Sequence, residues 1–459
     1  MTSSVPVLVV GAGISGLACA YALRKAGVDA QVLEAAPRAG GVIASEVRDG
    51  FLLELGPQSF SGTAPLRSLC TELGIADQLV QAPARAPRYV LVDGTLRAVP
   101  LNPASVLTSS LLSPRTKWRI ARDVFGTTQA PEEDETVAAF VRRKFGEELL
   151  DRLVAPFVSG IYAGDAERIS LRAAFPQLYE AEKSAGSAIR GMMRTAKSRN
   201  GPQERPTLLS FRNGNDTLVR ALTQKIAFRL CLAAEVLGIG VRRETGSVRF
   251  EVRIREAGSE KSVAAERLVL ATPADVAGAL LRDVNAAFEP VLGGIEYAPM
   301  AVASLGYRRG DVGHSLNGFG FLVPRSSGLR VLGSVWNSSL FPERAPAGHV
   351  LLTSFVGGAT DPGAAELSSD DLAALVHREL APILQIRAAP VFSHVQIYRR
   401  ALPQYNIGHG ERLMALERLK GGLPGLFLVG NYFSGPAIGN CVELGMAAAE
   451  ALVTKARRA

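Results

Sequence analysis

The sequence opens with an apolar run, a helical pattern and a second apolar run. Residues 5–10 are almost continuously apolar, which predicts a parallel strand buried on both faces. Residues 17–26 carry apolar side chains at helical spacing up to Gly27, and residues 28–33 predict a second strand. No basic segment precedes the first run and glycines end it, so it is predicted as a strand rather than a signal peptide. This order of elements is typical of an α/β protein.

Weaker versions of the same patterns occur further along the chain. Residues 248–254 predict a strand, and residues 425–430 predict another, which is followed by a helical stretch over 441–455. The segment 91–206 has mainly helical character. No run reaches the roughly 18 apolar residues that a bilayer-spanning helix requires, so none is predicted.

Composition narrows the class of protein. The 459 residues are 47% hydrophobic and 20% charged, which suits a large core and excludes disorder, collagen and coiled coil. The four cysteines form no CxxC pair and the five histidines have no metal-binding spacing, so neither a disulfide framework nor a metal site is expected. The net charge is +8, and no nucleic-acid partner is predicted.

A glycine motif separates the first predicted strand from the helix. It consists of Gly11, Ala12, Gly13, Ile14, Ser15 and Gly16. Gly11 permits a tight turn, Gly13 lets a pyrophosphate approach the backbone, and Gly16 lets the helix pack on the sheet. Glu34 follows the second strand, 23 residues after Gly11, where a carboxylate can accept hydrogen bonds from an adenosine ribose. Together these features predict a dinucleotide site.

Two further elements favour FAD over NAD. The run from Arg38 to Gly41 continues the site in flavoproteins with two dinucleotide-binding domains, where it helps to hold the pyrophosphate. Near residue 430 a strand ends, and a helix is expected to begin with Asn440 as its N-cap. The positive end of that helix could face the flavin and stabilise its reduced, anionic form. No second glycine motif follows a strand, so no NAD(P) domain is expected.

Short motifs along nearly the whole chain resemble those of the oxygen-dependent, FAD-containing protoporphyrinogen oxidase family. They lie at 11–16, 56–60, 159–165, 318–320, 338–342, 357–359, 403–405 and 430–443. The glycine motif is shared by many flavoproteins, whereas the runs at 159–165 and 338–342 are much more specific.

The resemblance implies an α/β fold of the amine oxidase/p-hydroxybenzoate hydroxylase-like type. It has a Rossmann-like FAD-binding domain, an α+β substrate domain and a helical membrane-binding lobe. The implied FAD-binding domain comprises 1–57, 207–275 and 403–459, the substrate domain 58–90 and 276–402, and the lobe 91–206.

The resemblance also implies which residues contact the ligands. Beyond the glycine motif, the implied FAD-binding residues are Glu34, Ala35, Arg38, Gly41, Val42, Gly56, Pro57, Gln58, Ser59, Val248, Tyr398, Gly430, Asn431, Pro436, Ala437 and Ile438. Among these, Val248 is expected to contact the adenine through its backbone, and Tyr398 to lie against the flavin. The implied substrate-binding residues are Arg88, Gly160, Phe319 and Gln58. Some family members have Arg where this chain has Gln58, so Arg88 is the expected partner of the substrate's propionates.

The implied activity removes six hydrogens from protoporphyrinogen IX in three flavin cycles, with O2 as acceptor and hydrogen peroxide as product. The flavin carries this chemistry, so no catalytic side chain is assigned. Coproporphyrinogen III is the alternative substrate. A homodimer and a handover of product to a chelatase are left open as partners.

A membrane surface is a further expected partner. The stretch from 85 to 122 has seven basic residues and one acidic residue, with apolar residues such as Trp118 and Ile120 between them. Such a pattern favours peripheral binding to an anionic bilayer, here the inner face of the cell membrane reached from the cytoplasm.

Three other interpretations compete. An amine oxidase usually has a Lys near the flavin, but no Lys occurs between Lys261 and Lys420. A carotenoid desaturase also takes a long apolar substrate, but its sequence differs at 159–165. A non-catalytic escort protein for prenylated partners shares the layout, and the intact glycine motif and Glu34 argue against it.

Overall fold

The protein is built from two seven-stranded sheets and a helical lobe. The structure is a computed structural model that describes residues 3–100, 103–127, 130–198, 207–244 and 247–456. The strands are β1 (Ser3–Val10), β2 (Ala30–Leu33), β3 (Ser45–Arg48), β4 (Phe51–Glu54), β5 (Phe60–Ser61), β6 (Leu79–Gln81), β7 (Arg88–Val92), β8 (Thr95–Ala98), β9 (Leu208–Phe211), β10 (Leu230–Cys231), β11 (Ala234–Glu244), β12 (Ser247–Glu256), β13 (Ser259–Leu270), β14 (Tyr297–Arg308), β15 (Gly320–Leu322), β16 (Val331–Val335), β17 (His349–Gly357), β18 (Phe392–Pro403) and β19 (Leu426–Leu428). The helices are α1 (Ile14–Lys25), α2 (Ala64–Leu73), α3 (Pro103–Thr108), α4 (Pro114–Phe125), α5 (Val137–Lys144), α6 (Glu147–Leu149), α7 (Ala155–Tyr162), α8 (Leu171–Ala174), α9 (Pro176–Ala185), α10 (Ala188–Ser198), α11 (Asp216–Ile226), α12 (Ala274–Leu281), α13 (Phe288–Gly293), α14 (Asn337–Leu340), α15 (Ser369–Leu384), α16 (His409–Gly421) and α17 (Ile438–Ala456).

The first sheet joins segments that are far apart in sequence. Its order is β10–β2–β1–β13–β12–β11, and β19 pairs with β13. Val10 lies beside both Leu33 and Leu270, and Leu270 lies beside Leu428, all in parallel pairs. The carboxyl ends of these strands therefore meet at one edge, which is where sheets of this kind bind ligands.

Strand β1 is buried on both faces because its side chains alternate across the sheet. Val7 and Val9 face a core formed with α1, α2, α11 and α17. Leu8 and Val10 face the meander β11–β12 and helices α12, α13 and α16. The prediction that the first apolar run forms a buried parallel strand is thus confirmed.

The second sheet has the order β18–β14–β17–β16–β15–β7–β8 and is antiparallel except for the pair β7–β15. Helix α15 covers one face. On the other face, Met300, Val302, Leu332 and Tyr398 pack with Ala163, the residue that follows α7. Because β8 belongs to this sheet, the sheet extends into the range assigned to the helical lobe. The domain boundary expected near 206 falls outside the described residues.

The helical lobe, α3 to α10, is held together by buried charge. Lys144 pairs with Asp123 at 2.8 Å and with Glu182 at 2.7 Å, and all three side chains are almost fully buried. Arg143 pairs with the same Glu182 at 2.9 Å. Removing one partner would leave an uncompensated buried charge, which fixes α4, α5 and α9 relative to one another.

Two kinds of feature are missing from the ranges given above. No helix there is both long enough and apolar enough to cross a membrane. Nor do three or more His, Cys, Asp or Glu side chains meet there as metal ligands would.

Candidate functional site

In the glycine turn at the end of β1, backbone atoms crowd two of the three glycines and the third faces open space. A Cβ at Gly11, where φ is +100°, would lie 2.7 Å from the Ala271 carbonyl oxygen, and one at Gly16 would lie 2.0 Å from the Gly11 oxygen. Both positions therefore require glycine. A Cβ at Gly13 would meet no atom within 4 Å, so this face of the turn is free to receive a ligand. Gly13 is also the N-cap of α1, whose free N–H groups and dipole favour an anion.

Glu34 lies beside this turn. One carboxylate oxygen accepts a hydrogen bond from the Ala12 N–H at 2.7 Å, and the other from the Ala36 N–H at 2.9 Å. Each oxygen retains a lone pair, so the carboxylate can still accept ribose hydroxyls. Ala35, next to it, is exposed.

The loop after β2 folds back against the turn. Gly41 would place a Cβ 3.6 Å from the Gly13 Cα, and the Gly40 N–H donates to Ala12 at 2.8 Å. The Arg38 guanidinium donates to the carbonyl oxygens of Gly41, at 2.6 Å, and Ile43, at 3.2 Å. In the structure Arg38 thus holds its own loop in place, and Val42, in the same loop, is exposed.

The Gln58 side chain holds the 56–59 segment in place. The buried Gln58 side chain donates to the carbonyls of Glu54 and Gly56, both at 2.9 Å, and accepts from the Asn337 amide at 2.8 Å. Both of its N–H groups are used within the protein, so neither is left to donate to a ligand. It ties the segment to α14. Pro57 accepts from Asn215 at 2.7 Å, and Ser59 lies in the same segment.

The buried carboxyl group of Glu54 lies next to the 56–59 segment. Glu54 accepts hydrogen bonds from the Asn215 N–H at 2.9 Å and the Ser45 hydroxyl at 2.6 Å. Burial raises the pKa of Glu54 to about 7, although Arg344, 3.6 Å away, opposes the shift.

The segment after β19 reaches the same edge of the sheet. Helix α17 begins at Ile438 and runs against α1 so closely that a Cβ on Gly445 would lie 2.2 Å from the Ser15 oxygen. Residues 430, 431, 436 and 437 form the turn that leads into it. Asn440 lies inside the first helical turn and donates to the Ser434 carbonyl, so its assignment as N-cap is wrong. The amino ends of α1 and α17 both lie at the carboxyl edge of the sheet.

The strand that lies beside the Glu34 loop is β11 rather than the part of β12 that contains Val248. Ala234 donates to the Glu34 carbonyl at 2.9 Å, so the start of β11 lies beside the Glu34 loop. Val236 follows in β11 and pairs with Ile254 of β12. Val248 pairs with Arg243 of β11. It lies six residues before Ile254 in β12, which is about 20 Å at the rise of a strand. The structure therefore brings Val236, rather than Val248, to the Glu34 loop.

Tyr398 is part of β18 in the second sheet and lies near Arg38. It pairs with Met300 and lies in the apolar cluster that includes Ala163. Burial raises its pKa, and the nearby Arg38 guanidinium opposes that rise. The predicted flavin-facing aromatic is thus close to the Arg38 loop.

The remaining substrate residues meet around β15. Arg88 pairs with Gly320, and its guanidinium lies 5.5 Å from the centre of the Phe319 ring. A Cβ on Gly160 would lie 2.9 Å from the Leu322 side chain, so that glycine lets α7 approach β15. The arrangement is an exposed cation beside an aromatic ring and an apolar wall.

These features fit a dinucleotide with a redox-active ring. The open face at Gly13 and the amino end of α1 suit a diphosphate, Glu34 suits a ribose, and the amino end of α17 suits the negative charge of a reduced flavin. The apolar face with Tyr398 offers a wall for a flat ring. The chain's own residues therefore fit FAD.

Comparison with known proteins places the fold in a family. Residues 14–453 match the model of the family described as "Flavin containing amine oxidoreductase". The chain is 36% identical over 466 residues to the chloroplastic protoporphyrinogen oxidase of Oryza sativa subsp. japonica, covering 96% of this chain and 86% of that protein. It is 30% identical over 470 residues to the coproporphyrinogen III oxidase of Bacillus subtilis (strain 168), covering 98% of both. The crystal structure of a protein from Exiguobacterium sp. 255-15 matches with a TM-score of 0.81 at 26% identity, covering 99% of this chain and 100% of that chain.

Proposed function

Since the chain belongs to the flavin-containing amine oxidoreductase family and is an FAD-dependent oxidoreductase, we propose that it oxidises protoporphyrinogen IX to protoporphyrin IX. O2 accepts the electrons, and three O2 yield three hydrogen peroxide for the six hydrogens removed. The supporting observation is the cation at Arg88 beside the Phe319 ring, because a porphyrinogen joins apolar rings to carboxylates at one edge.

The protein's part in this reaction is binding and orientation. Bound FAD supplies the hydride acceptor. The Gly13 turn and the amino end of α1 would hold its diphosphate, Glu34 would hold its ribose, and the amino end of α17 would stabilise the negative charge of the reduced flavin. Arg88 holds a propionate and so selects which side of the macrocycle faces inward. The apolar face of the second sheet receives the pyrrole rings and excludes water, and Gly160 lets α7 close against β15.

We expect the purified protein to carry tightly bound, non-covalent FAD that protoporphyrinogen IX bleaches under anaerobic conditions. The test is the flavin absorbance after adding protoporphyrinogen IX or coproporphyrinogen III to separate samples, followed by readmission of air. Faster bleaching by coproporphyrinogen III would make that compound the substrate. Oxidation of coproporphyrinogen III is the second candidate function, and the similarity to the Bacillus subtilis protein favours it. Flavin that neither compound bleaches would overturn the proposal.

The proposal includes peripheral binding to the inner face of the cell membrane, from the cytoplasm. Helix α4 exposes Trp118 and Phe125, which are 60% and 85% accessible. The Arg122 guanidinium lies 5.2 Å from the Trp118 ring centre. The buried ion cluster at Asp123 fixes the opposite side of this helix, so the aromatic side chains stay on the surface. Aromatic rings with adjacent cations suit an anionic lipid surface.

We expect Trp118→Ala to weaken binding to phosphatidylglycerol vesicles about tenfold, because an exposed aromatic anchor is lost. The measurement is cosedimentation over a range of salt concentrations, and binding should fall as salt rises. Phe228→Ala is the matched control, since Phe228 is also exposed and has an arginine, Arg24, 5.1 Å from its ring centre. Equal binding by both variants, or equal pelleting with neutral and anionic vesicles, would contradict this surface.

A further inference from the structure

The motif at 403–405 lies between the two halves of the site. Strand β18 ends at Pro403, and Gln404 and Tyr405 follow with buried side chains, 3% and 1% accessible. One side chain reaches the loop that leads into α17. The other reaches the end of α7. These adjacent residues therefore contact the cofactor side and the substrate side at once.

Tyr405 closes the loop of residues 431–435. Its hydroxyl donates to the Asn431 carbonyl at 2.5 Å and accepts from the Gly435 N–H at 2.7 Å. A single oxygen thus holds both ends of the loop before the amino end of α17. The His409 ring packs against the tyrosine with ring centres 4.4 Å apart, and its Nε2 donates to the Tyr432 carbonyl at 2.9 Å.

Gln404 holds the end of α7. Its amide nitrogen donates to the Tyr162 carbonyl at 2.8 Å and to the Leu402 carbonyl at 3.0 Å. Tyr162 is the last residue of α7, and Ala163 then turns into the left-handed region with φ of 50°. The same helix carries Gly160 two residues earlier. The Tyr162 ring also lies edge-on to Tyr405, with 5.4 Å between ring centres.

We propose that Gln404 and Tyr405 are positioning residues that together set the spacing between the loop of residues 431–435 and helix α7. The proposal rests on the proposed function only for the identity of the substrate. Its physical basis is that both ends of the link are buried hydrogen bonds, which would leave unpaired backbone groups if removed. Because β18 is part of the second sheet, the link also ties this spacing to the sheet that carries Tyr398. Small errors in such spacing cost rate steeply.

Tyr405→Phe tests the cofactor half, because it keeps the ring and removes only the hydroxyl. We expect the FAD dissociation constant to rise about tenfold, with a changed visible circular dichroism of the bound flavin. Tyr307→Phe is the matched control. It also removes a buried tyrosine hydroxyl, one bonded to His377 at 3.2 Å in the core covered by α15. Equal FAD dissociation constants and spectra for the two variants would overturn the cofactor half.

Gln404→Met tests the substrate half, because it keeps the volume and removes the donor to Tyr162. We expect FAD affinity within about twofold of wild type, faster amide hydrogen exchange over residues 155–163, and a kcat for protoporphyrinogen IX about tenfold lower at saturating FAD. Unchanged exchange over that helix would overturn this half. Flavin affinity, dichroism and hydrogen exchange need no porphyrinogen, so they decide the proposal even if the wild type oxidises neither porphyrinogen and the proposed function fails.

Discussion

Gly13→Val is expected to yield a folded but colourless protein, with FAD affinity reduced at least about 100-fold. A Cβ at Gly13 meets no protein atom within 4 Å, and the backbone there has φ of −67° and ψ of 172°, which valine readily adopts. The added methyl groups would instead occupy the face that a diphosphate must approach. The measurements are the ratio of flavin to protein after purification and a fluorescence titration of the apoprotein with FAD.

Gly310→Val is the control for this substitution. Gly310 is exposed, and a Cβ there also meets no atom within 4 Å, but it lies in the turn after β14. We expect wild-type flavin content in this variant and similar apoprotein melting temperatures for both. Wild-type flavin content in Gly13→Val would show that the open face of the glycine turn is not the diphosphate site.

Arg88→Ala is expected to raise KM for protoporphyrinogen IX by about 10- to 100-fold, a loss of about 1.5–3 kcal/mol. Arg88 is exposed, and the hydrogen bonds and ion pairs seen among the described residues give it no carboxylate partner. It is therefore available for a propionate. Arg88→Lys should recover part of the affinity, because it keeps the charge but loses the paired N–H geometry. The measurement is steady-state oxidation at matched flavin content.

Arg308→Ala provides the comparison, since Arg308 is an exposed arginine at the end of β14 in the same sheet. It should leave KM unchanged, and flavin content should be unchanged in all three variants. If Arg88→Ala has the KM and kcat of the wild type, Arg88 is a surface residue and another group binds the carboxylates.

The amino-terminal part of the site could be predicted because its signals are local. The expected strand at 5–10 and helix at 17–26 correspond to β1 (Ser3–Val10) and α1 (Ile14–Lys25). The helix begins earlier than its apolar spacing suggests, because Gly13 caps it and Gly16 packs tightly inside it. Helix α17 likewise begins before Asn440, at Ile438. This start could not be predicted, because Ile438 and Gly439 have no helical pattern of their own.

The features that the sequence could not predict have a common physical origin in long-range pairing. Which valine lies beside Glu34 depends on how the β11–β12 hairpin pairs and bends, and no local pattern distinguishes Val236 from Val248. The inward turn of Gln58 depends on Asn337, which is far away in sequence. The pairing of Gln404 with Tyr162 is equally distant, so a motif could be noticed there without its partners being known.

The strands of the first sheet come from distant parts of the chain, which has a consequence for folding. Strand β13 lies between β1, at residues 3–10, and β19, at residues 426–428, so neighbouring strands are separated by hundreds of residues. During synthesis on the ribosome the glycine turn emerges before the helical lobe and the second sheet. Strand β19 and helix α17, which complete the first sheet and cover α1, emerge only after them. The apolar flank of α1 that α17 covers must stay exposed in the nascent chain until then. We expect such late closure to slow folding and to make that flank a site for chaperone binding.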